Sequence, residues 1–139
     1  MRFMMIEKGD GPSEQLPPKP GMFEAMNKYN QELQDAGILL ALEGLAPSKD
    51  GARLTFANGK ASVVDGPFSE AKELVGGFWI IQVRDKEEAI EWARRIPFMH
   101  GESVEIRRLA ELSDFEDIMS PEALAAEAAM RAAHAGKSN

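Results

Sequence analysis

A few ionisable side chains stand at the ends of apolar segments, where loops often carry the reactive groups of a protein. Asp65 ends one apolar segment and Glu43 ends another. If the fold brings these carboxylates into one apolar cleft, their pKa values split and the pair can transfer protons. His100 lies in a predicted loop, and an unperturbed histidine titrates near neutral pH. The structural alternative is that Asp65 shapes a turn, Glu43 caps the turn at Gly44, and His100 is a solvated loop residue.

Other kinds of chemical site are excluded or unsupported by the residue types. The chain has no cysteine, which excludes disulfides, thiolate nucleophiles and thiolate metal ligands. Its two histidines, His100 and His134, are too far apart in the sequence to indicate a metal site. No phosphate-binding loop, dinucleotide fingerprint or Gly-x-Ser-x-Gly elbow occurs. We therefore expect neither a metal nor a cofactor.

The composition is that of an ordinary globular protein. The chain has 139 residues, of which 44% are hydrophobic and 28% charged, so we expect one domain and a tail. A formal net charge of −7, with basic doublets only at 94–95 and 107–108, argues against nucleic-acid binding. No apolar run reaches the roughly 18 residues of a membrane span, and no signal peptide is recognisable. We expect a soluble cytoplasmic protein.

Hydrophobic periodicity predicts the element order strand, helix, strand, hairpin, strand, helix, strand. The predicted ranges are 2–7, 22–36, 38–42, 53–57 with 60–64, 78–83, 86–96 and 103–109. Gly37 is expected to end the first helix, and Asp85 to cap the second. Asn58-Gly59 is typical of a two-residue type I′ hairpin turn. This order predicts an α+β, ferredoxin-like sheet with both helices on one face.

Both faces of the predicted strands are apolar, although two helices can cover only one of them. Phe3 and Met5 alternate with Met4 and Ile6 along the first strand. Burial of a large apolar side chain is worth roughly 1.5–3 kcal/mol, so an uncovered face is unfavourable. We therefore predict a homodimer that packs sheet on sheet. The alternative cover is the C-terminal helix folding back, which its weak apolar content disfavours.

The C-terminal part of the chain differs in composition from the rest. We predict a domain over 1–110, followed by an acidic link and an alanine-rich helix over 111–139. The segment 121–135 contains eight alanines and, as larger apolar residues, Leu124 and Met130. Such a helix has good propensity but little to bury. We expect an appendage that is not part of the core.

The segment 64–73 reads Val-Asp-Gly-Pro-Phe-Ser-Glu-Ala-Lys-Glu. It resembles the YCII-related family, and in particular its DGPF-domain branch, named for the residues that stand here as Asp65, Gly66, Pro67 and Phe68. Matching features elsewhere are Glu43-Gly44-Leu45, Gly76-Gly77-Phe78, the run 89–97 and Val104-Glu105-Ile106-Arg107. The resemblance implies a ferredoxin-like subunit within a dimeric α/β barrel. The biochemical role of the family is largely unassigned.

The motif itself has a structural and a functional interpretation. Structurally, Gly66 is expected to adopt a backbone angle barred to other residues, Pro67 to fix the next one, and Phe68 to fill the core. Ser69 is placed to cap a short helical turn that extends through Lys72. Functionally, the charged residues of the segment would line a cleft between the hairpin and the central strand; they are Asp65, Glu70, Lys72 and Glu73.

Two classes of function follow from these observations. The first is a small organic molecule bound in a cleft near the motif, with weak acid–base activity carried by Asp65 and His100. The predicted ligand-binding residues are Tyr29, Glu43, Gly66, Pro67, Phe68, Glu70 and Lys72. Short members of the wider family look like carriers of a His and Asp pair, with the histidine near the first helix, whereas this chain has Tyr29 and Asn30 there. The second class is a non-catalytic interaction module, since relatives of this branch are associated with sigma-factor regulation.

Overall fold

The computed structural model describes residues 1–98 and 101–137 of the chain. Its residues fall into two compact units, Met1–Arg108 and Leu109–Asn139. The strands are β1 (Arg2–Gly9), β2 (Leu39–Gly44), β3 (Ala52–Ala57), β4 (Lys60–Asp65), β5 (Leu74–Gln82) and β6 (Ser103–Arg108). The helices are α1 (Met22–Asp35), α2 (Lys86–Ala93) and α3 (Pro121–Ala135), with short 3-10 turns at Ser13–Gln15, Ser48–Asp50 and Leu112–Phe115.

The main sheet of the first unit is four-stranded and antiparallel, in the order β2-β5-β1-β6. Helix α1 connects β1 to β2 across β5, and helix α2 connects β5 to β6 across β1. Two interleaved split βαβ units of this kind form the ferredoxin-like arrangement. The predicted α+β fold class is confirmed, with β5 and β1 at the centre and β6 at an edge.

One face of this sheet carries the core. Phe3 lies opposite Ile81 and Met5 lies opposite Trp79, so these four side chains point to the same side. Tyr29 and Leu33 from α1, and Ala89 from α2, are buried against them. The remaining buried apolar residues are Val83 and Ile96. The helices therefore cover this face.

The opposite face of the sheet is also apolar, as the alternation predicts. Met4 lies opposite Ile80 and Ile6 lies opposite Phe78, and all four side chains are only half-buried. The pairing register places them on the side away from the core cluster, because successive residues of a strand point to opposite faces.

The hairpin β3–β4 forms a separate two-stranded sheet. Asn58 has φ 52° and Gly59 has φ 75°, as the predicted type I′ turn requires. Every residue of both strands is exposed. Leu54 and Phe56 share one face with Val63, and their exposed fractions are 51%, 72% and 62%. A two-stranded ribbon of this kind is marginally stable alone in water, and its apolar face is exposed in this unit.

Several predicted boundaries and local conformations are corrected by the structure. Helix α2 ends at Ala93, three residues before the predicted end, because Arg95 N and Ile96 N donate to carbonyls only three residues back. Asp85 does cap this helix, accepting from Glu88 N at 2.9 Å. The segment after Phe68 is a turn closed by Ala71 N and the Phe68 carbonyl, and it is not helical.

The second unit contains α3, whose predicted range is confirmed. Ser120 caps it by accepting from Ala123 N at 3.2 Å, and Pro121 occupies the first turn, where no amide donor is needed. Within this unit Arg131 contacts Glu127 at 2.9 Å and donates to the Ala110 carbonyl at 3.0 Å. None of its helical residues is buried. Among the described residues, no helix is both long and apolar enough to cross a membrane.

Candidate functional site

The motif loop is fixed by a short chain of hydrogen bonds that joins three distant segments. Phe68 N donates to Ser48 Oγ at 3.0 Å, and Ser48 Oγ donates to the Glu14 carboxylate at 2.6 Å. Ser48 N donates to the same carboxylate at 2.5 Å. Ser48 is the one polar residue among the buried residues of the described chain. These hydrogen bonds hold the motif loop against the segments that carry Glu14 and Ser48.

Gly66 is required for a reason other than the predicted one. Its φ is not in the left-handed region, which is occupied by Gly21, Gly37, Gly59 and Gly101. A Cβ on Gly66 would instead overlap the backbone carbonyl of Ser48. The expectation of a special backbone angle was wrong, because close approach of two backbone segments selects glycine here. The Gly66–Pro67 peptide bond is cis.

A cavity of about 430 Å³ lies beside the motif loop, and we call it the motif cavity. Its walls come from the loop after β2, the start of β3, Phe68 and the start of β5. The lining residues are Glu14, Leu45, Ala46, Pro47, Ser48, Asp50, Gly51, Ala52, Arg53, Phe68, Glu73, Leu74 and Val75. The Arg53 guanidinium stacks on the Phe68 ring, 4.1 Å from its centroid. Its mixed apolar and charged walls suit a small organic ligand.

A second cavity, of about 330 Å³, contains a half-buried carboxyl group that the sequence interpretation missed. Glu7 lines it together with Glu102 and other polar groups. Burial, and secondarily the negative charge of Glu102, raises the pKa of Glu7 above its usual value. Glu7 lies opposite Gly77 in the sheet, and a Cβ at Gly76 would lie 3.4 Å from the carboxylate. The sequence signal that could have predicted this site is the glycine pair 76–77, which lies beside a charged residue of the neighbouring strand.

The predicted site residues do not converge on one place. Asp65 is exposed at the end of β4, opposite Ala52, and does not line the motif cavity. Glu43 lies on β2, in the other sheet, and lines a small pocket of about 140 Å³ together with Glu7. Asp65 and Glu43 lie in different sheets and do not share the motif cavity, the second cavity or the small pocket.

Tyr29 is a core residue in this structure. Its hydroxyl donates to the Trp92 carbonyl at 2.9 Å, and its ring meets Trp79 edge-on at 6.0 Å between centroids. Burial raises the pKa of its hydroxyl well above the usual value. Asn30, its neighbour, accepts from Trp79 Nε1 at 2.8 Å. Tyr29 therefore holds the helix to the core and is not exposed to a cavity described here.

Of the remaining predicted ligand-binding residues, Phe68 lines the motif cavity. Pro67 lines a neighbouring cavity of about 390 Å³ together with Glu14. Glu70 and Lys72 are exposed in the turn that follows the motif. The predicted catalytic residue His100 lies outside the described residues. Within the ranges that the structure describes, no group of three or more His, Cys, Asp or Glu residues could hold a metal ion.

The strand order, the two crossover helices and the inserted hairpin define an α+β protein of the ferredoxin-like class. The family model of the YCII-related domain matches residues 1–113, and the chain therefore belongs to the YCII-related domain family. An uncharacterized protein of Rhizobium meliloti (strain 1021) is 36% identical over 87 residues, covering 61% of this chain and 70% of that protein. Assignment to the DGPF-domain branch stays a prediction.

Proposed function

We propose that the protein binds a small organic molecule in the motif cavity. The observation that supports this most directly is the Arg53–Phe68 stack in the wall of a cavity of about 430 Å³. That volume lies within the roughly 300–1,000 Å³ of small-molecule sites. The wall is held in place by the part-buried Ser48–Glu14 hydrogen bonds, which favour a site that is formed before a ligand arrives.

The proposal also includes weak acid–base chemistry, for which the described candidate groups, Asp65 and Glu7, do not line the motif cavity. Asp65 and His100 remain the groups that the sequence predicts for proton transfer. The structure adds Glu7, whose half-buried environment favours the protonated carboxyl group. Burial that raises the pKa of a carboxyl group makes that group a better candidate for a general acid. Activity that survives Glu7→Gln, Asp65→Asn and His100→Asn together would overturn this part of the proposal.

Binding is tested with a metabolite library in a thermal-shift screen, followed by two tryptophan variants. Leu45→Trp places a bulky side chain in the motif cavity, whereas Leu16→Trp changes an exposed leucine outside its lining. Compounds that stabilise the parent should lose their effect on Leu45→Trp and retain it on Leu16→Trp. A library without stabilising compounds, or compounds that stabilise both variants equally, would contradict binding in the motif cavity.

A second proposal concerns a protein partner, and the exposed apolar face of the hairpin favours it. Leu54, Phe56 and Val63 form this face, and residues 52–65 carry two basic side chains and one acidic one in a chain of net charge −7. The half-buried opposite face of the main sheet adds a second apolar surface. A second, acidic copy of this chain fits such a surface, which agrees with the predicted homodimer.

The oligomeric state tests this second proposal. Light scattering on the full chain is expected to give twice the 15.3 kDa of one copy. A monomer at micromolar concentration would reject the homodimer. If the chain is instead a regulatory module linked to transcription, a purified sigma factor should form a complex with it that Phe56→Ser weakens. No complex with the parent would reject that role.

A further inference from the structure

Some charged side chains around the motif cavity already form hydrogen bonds or salt bridges within the protein, whereas others form none with the residues that the structure describes. Glu14 accepts two hydrogen bonds from Ser48, and Glu73 lies 3.6 Å from Lys8 Nζ. Arg53, by contrast, forms neither a salt bridge nor a hydrogen bond through its side chain within the described part of the chain. The motif cavity therefore presents a cation whose N–H donors no carboxylate of this unit satisfies.

The contact with Phe68 positions this cation. The guanidinium carbon lies over the ring, 4.1 Å from its centroid, which is a cation–π contact. The N–H donors of a guanidinium point outward from its edges, and those of Arg53 form no hydrogen bond within the described residues. Their spacing matches the two oxygens of a carboxylate, which Arg binds with two parallel hydrogen bonds.

An apolar surface lies in the same cavity. Leu45 and Val75 line it with exposed fractions of 52% and 44%. Leu45 is held at this position because its amide donates to the Gly76 carbonyl at 2.8 Å. Exposed apolar area in a concave site gains free energy when a ligand covers it, at about 25 cal/mol per Å². The ligand should therefore combine an anionic head with an apolar body.

We infer that the ligand is a small organic monocarboxylate, with its carboxylate on Arg53 and its apolar body on Leu45 and Val75. This inference rests on the proposed function of the motif cavity. Glu14, Asp50 and Glu73 line the same cavity and disfavour ligands with two or more negative charges, such as phosphate esters. A single carboxylate satisfies Arg53 with the least repulsion from these groups.

Three probes that share a phenyl ring on a three-carbon chain, and differ in the terminal group, separate the contribution of the head group to binding from that of the apolar body. They are 3-phenylpropanoate, 3-phenylpropan-1-ol and 3-phenylpropan-1-amine, titrated into full-length protein while the methyl resonances of Leu45 and Val75 are followed by NMR. The carboxylate is expected to bind roughly 10-fold or more tightly than the alcohol, as a charge-assisted hydrogen bond provides. Equal or tighter binding of the alcohol or the amine would overturn the monocarboxylate inference while leaving the cavity as a binding site.

Two variants locate the carboxylate contact. Arg53→Gln should reduce the affinity for the propanoate to that for the alcohol, and should leave the affinity for the alcohol unchanged. Lys60→Gln removes the same charge from the same hairpin but outside the cavity lining, and should leave all three affinities unchanged. Equal losses of affinity for the propanoate in both variants would show that the effect is long-range electrostatic attraction, and would contradict a direct contact between Arg53 and the carboxylate. If none of the three probes shifts the Leu45 and Val75 resonances, the proposed function fails together with this inference.

Discussion

The α-carbon of Gly66 lies so close to the carbonyl oxygen of Ser48 that a methyl group on Gly66 would overlap that oxygen. Both groups belong to backbone, which cannot rotate away as a side chain does. The contact joins the motif loop to the 3-10 turn that borders the motif cavity, and it is accompanied by a hydrogen bond of 2.9 Å from Gly66 N to the Gly51 carbonyl.

Gly66→Ala is therefore expected to destabilise the protein by about 1–3 kcal/mol, the usual cost of inserting atoms into a packed region. Gly51→Ala is the matched control, because a Cβ there would lie at an ordinary 3.5 Å from the same Ser48 carbonyl and its φ of −114° suits alanine. Urea denaturation of the three proteins measures both effects. Similar midpoints for Gly66→Ala and the parent would show that the two loops separate without cost.

Ser48→Ala tests the hydrogen-bond chain beneath the motif. The change leaves Phe68 N without its acceptor and removes one of the two donors to Glu14. A part-buried hydrogen bond of this kind contributes about 0.5–1.5 kcal/mol, and loosening Phe68 should also weaken ligand binding. Ser62→Ala, on the exposed strand β4, should change stability by less than about 0.5 kcal/mol. Equal stabilities of the two variants would contradict a structural role for Ser48.

Features that depend on neighbouring residues could be predicted from the sequence. The hairpin turn was predictable because Asn58 and Gly59 tolerate positive φ, and the start of α2 because Asp85 reaches the amide of Glu88 three residues on. The core was predictable from alternation, since Phe3 and Met5 must share a face of their strand.

The candidate site could not be predicted in the same way, because its contacts join remote segments. Glu14 and Ser48 are 34 residues apart, and neither belongs to a pattern that a periodicity analysis detects. The motif correctly predicts that position 66 needs glycine, but glycine is needed there because of the nearby carbonyl of Ser48 and not because of the φ of Gly66. Glu7 looked like the polar end of a strand until the sheet register placed it opposite Gly77.

Asp65→Asn separates a turn-forming role from a catalytic or ligand-binding role. Asn preserves the size and the local hydrogen bonding of Asp, and the side chain is exposed, so the melting temperature should stay within about 2 °C of the parent. A working carboxylate would nevertheless lose ligand binding in the metabolite screen. Unchanged binding would show that the residue only shapes the corner, which agrees with its position outside the motif cavity lining.

Glu7→Gln should stabilise the protein at neutral pH and have little effect in acid. Burial and the charge of Glu102 raise the pKa of Glu7 in the folded state, so the folded protein binds this proton more tightly than the unfolded chain does. Its contribution to stability is then complete below the ordinary value of 4.5 and is lost as pH rises through the folded-state pKa. At pH 7 ionisation of Glu7 is therefore less favourable in the folded parent than in its unfolded chain, whereas glutamine is neutral in both states.

Denaturation midpoints of Glu7→Gln and the parent at pH 4 and pH 7 measure this difference. The denaturation midpoint of the variant should be higher than that of the parent at pH 7. The difference between the two midpoints should disappear at pH 4, because both side chains are then uncharged. Glu70→Gln, a change at an exposed turn residue, controls for the loss of one negative charge from an acidic chain. If Glu7→Gln is less stable than the parent at pH 7, its carboxylate has a stabilising partner, and Glu7 is not the proton-holding group of the second cavity.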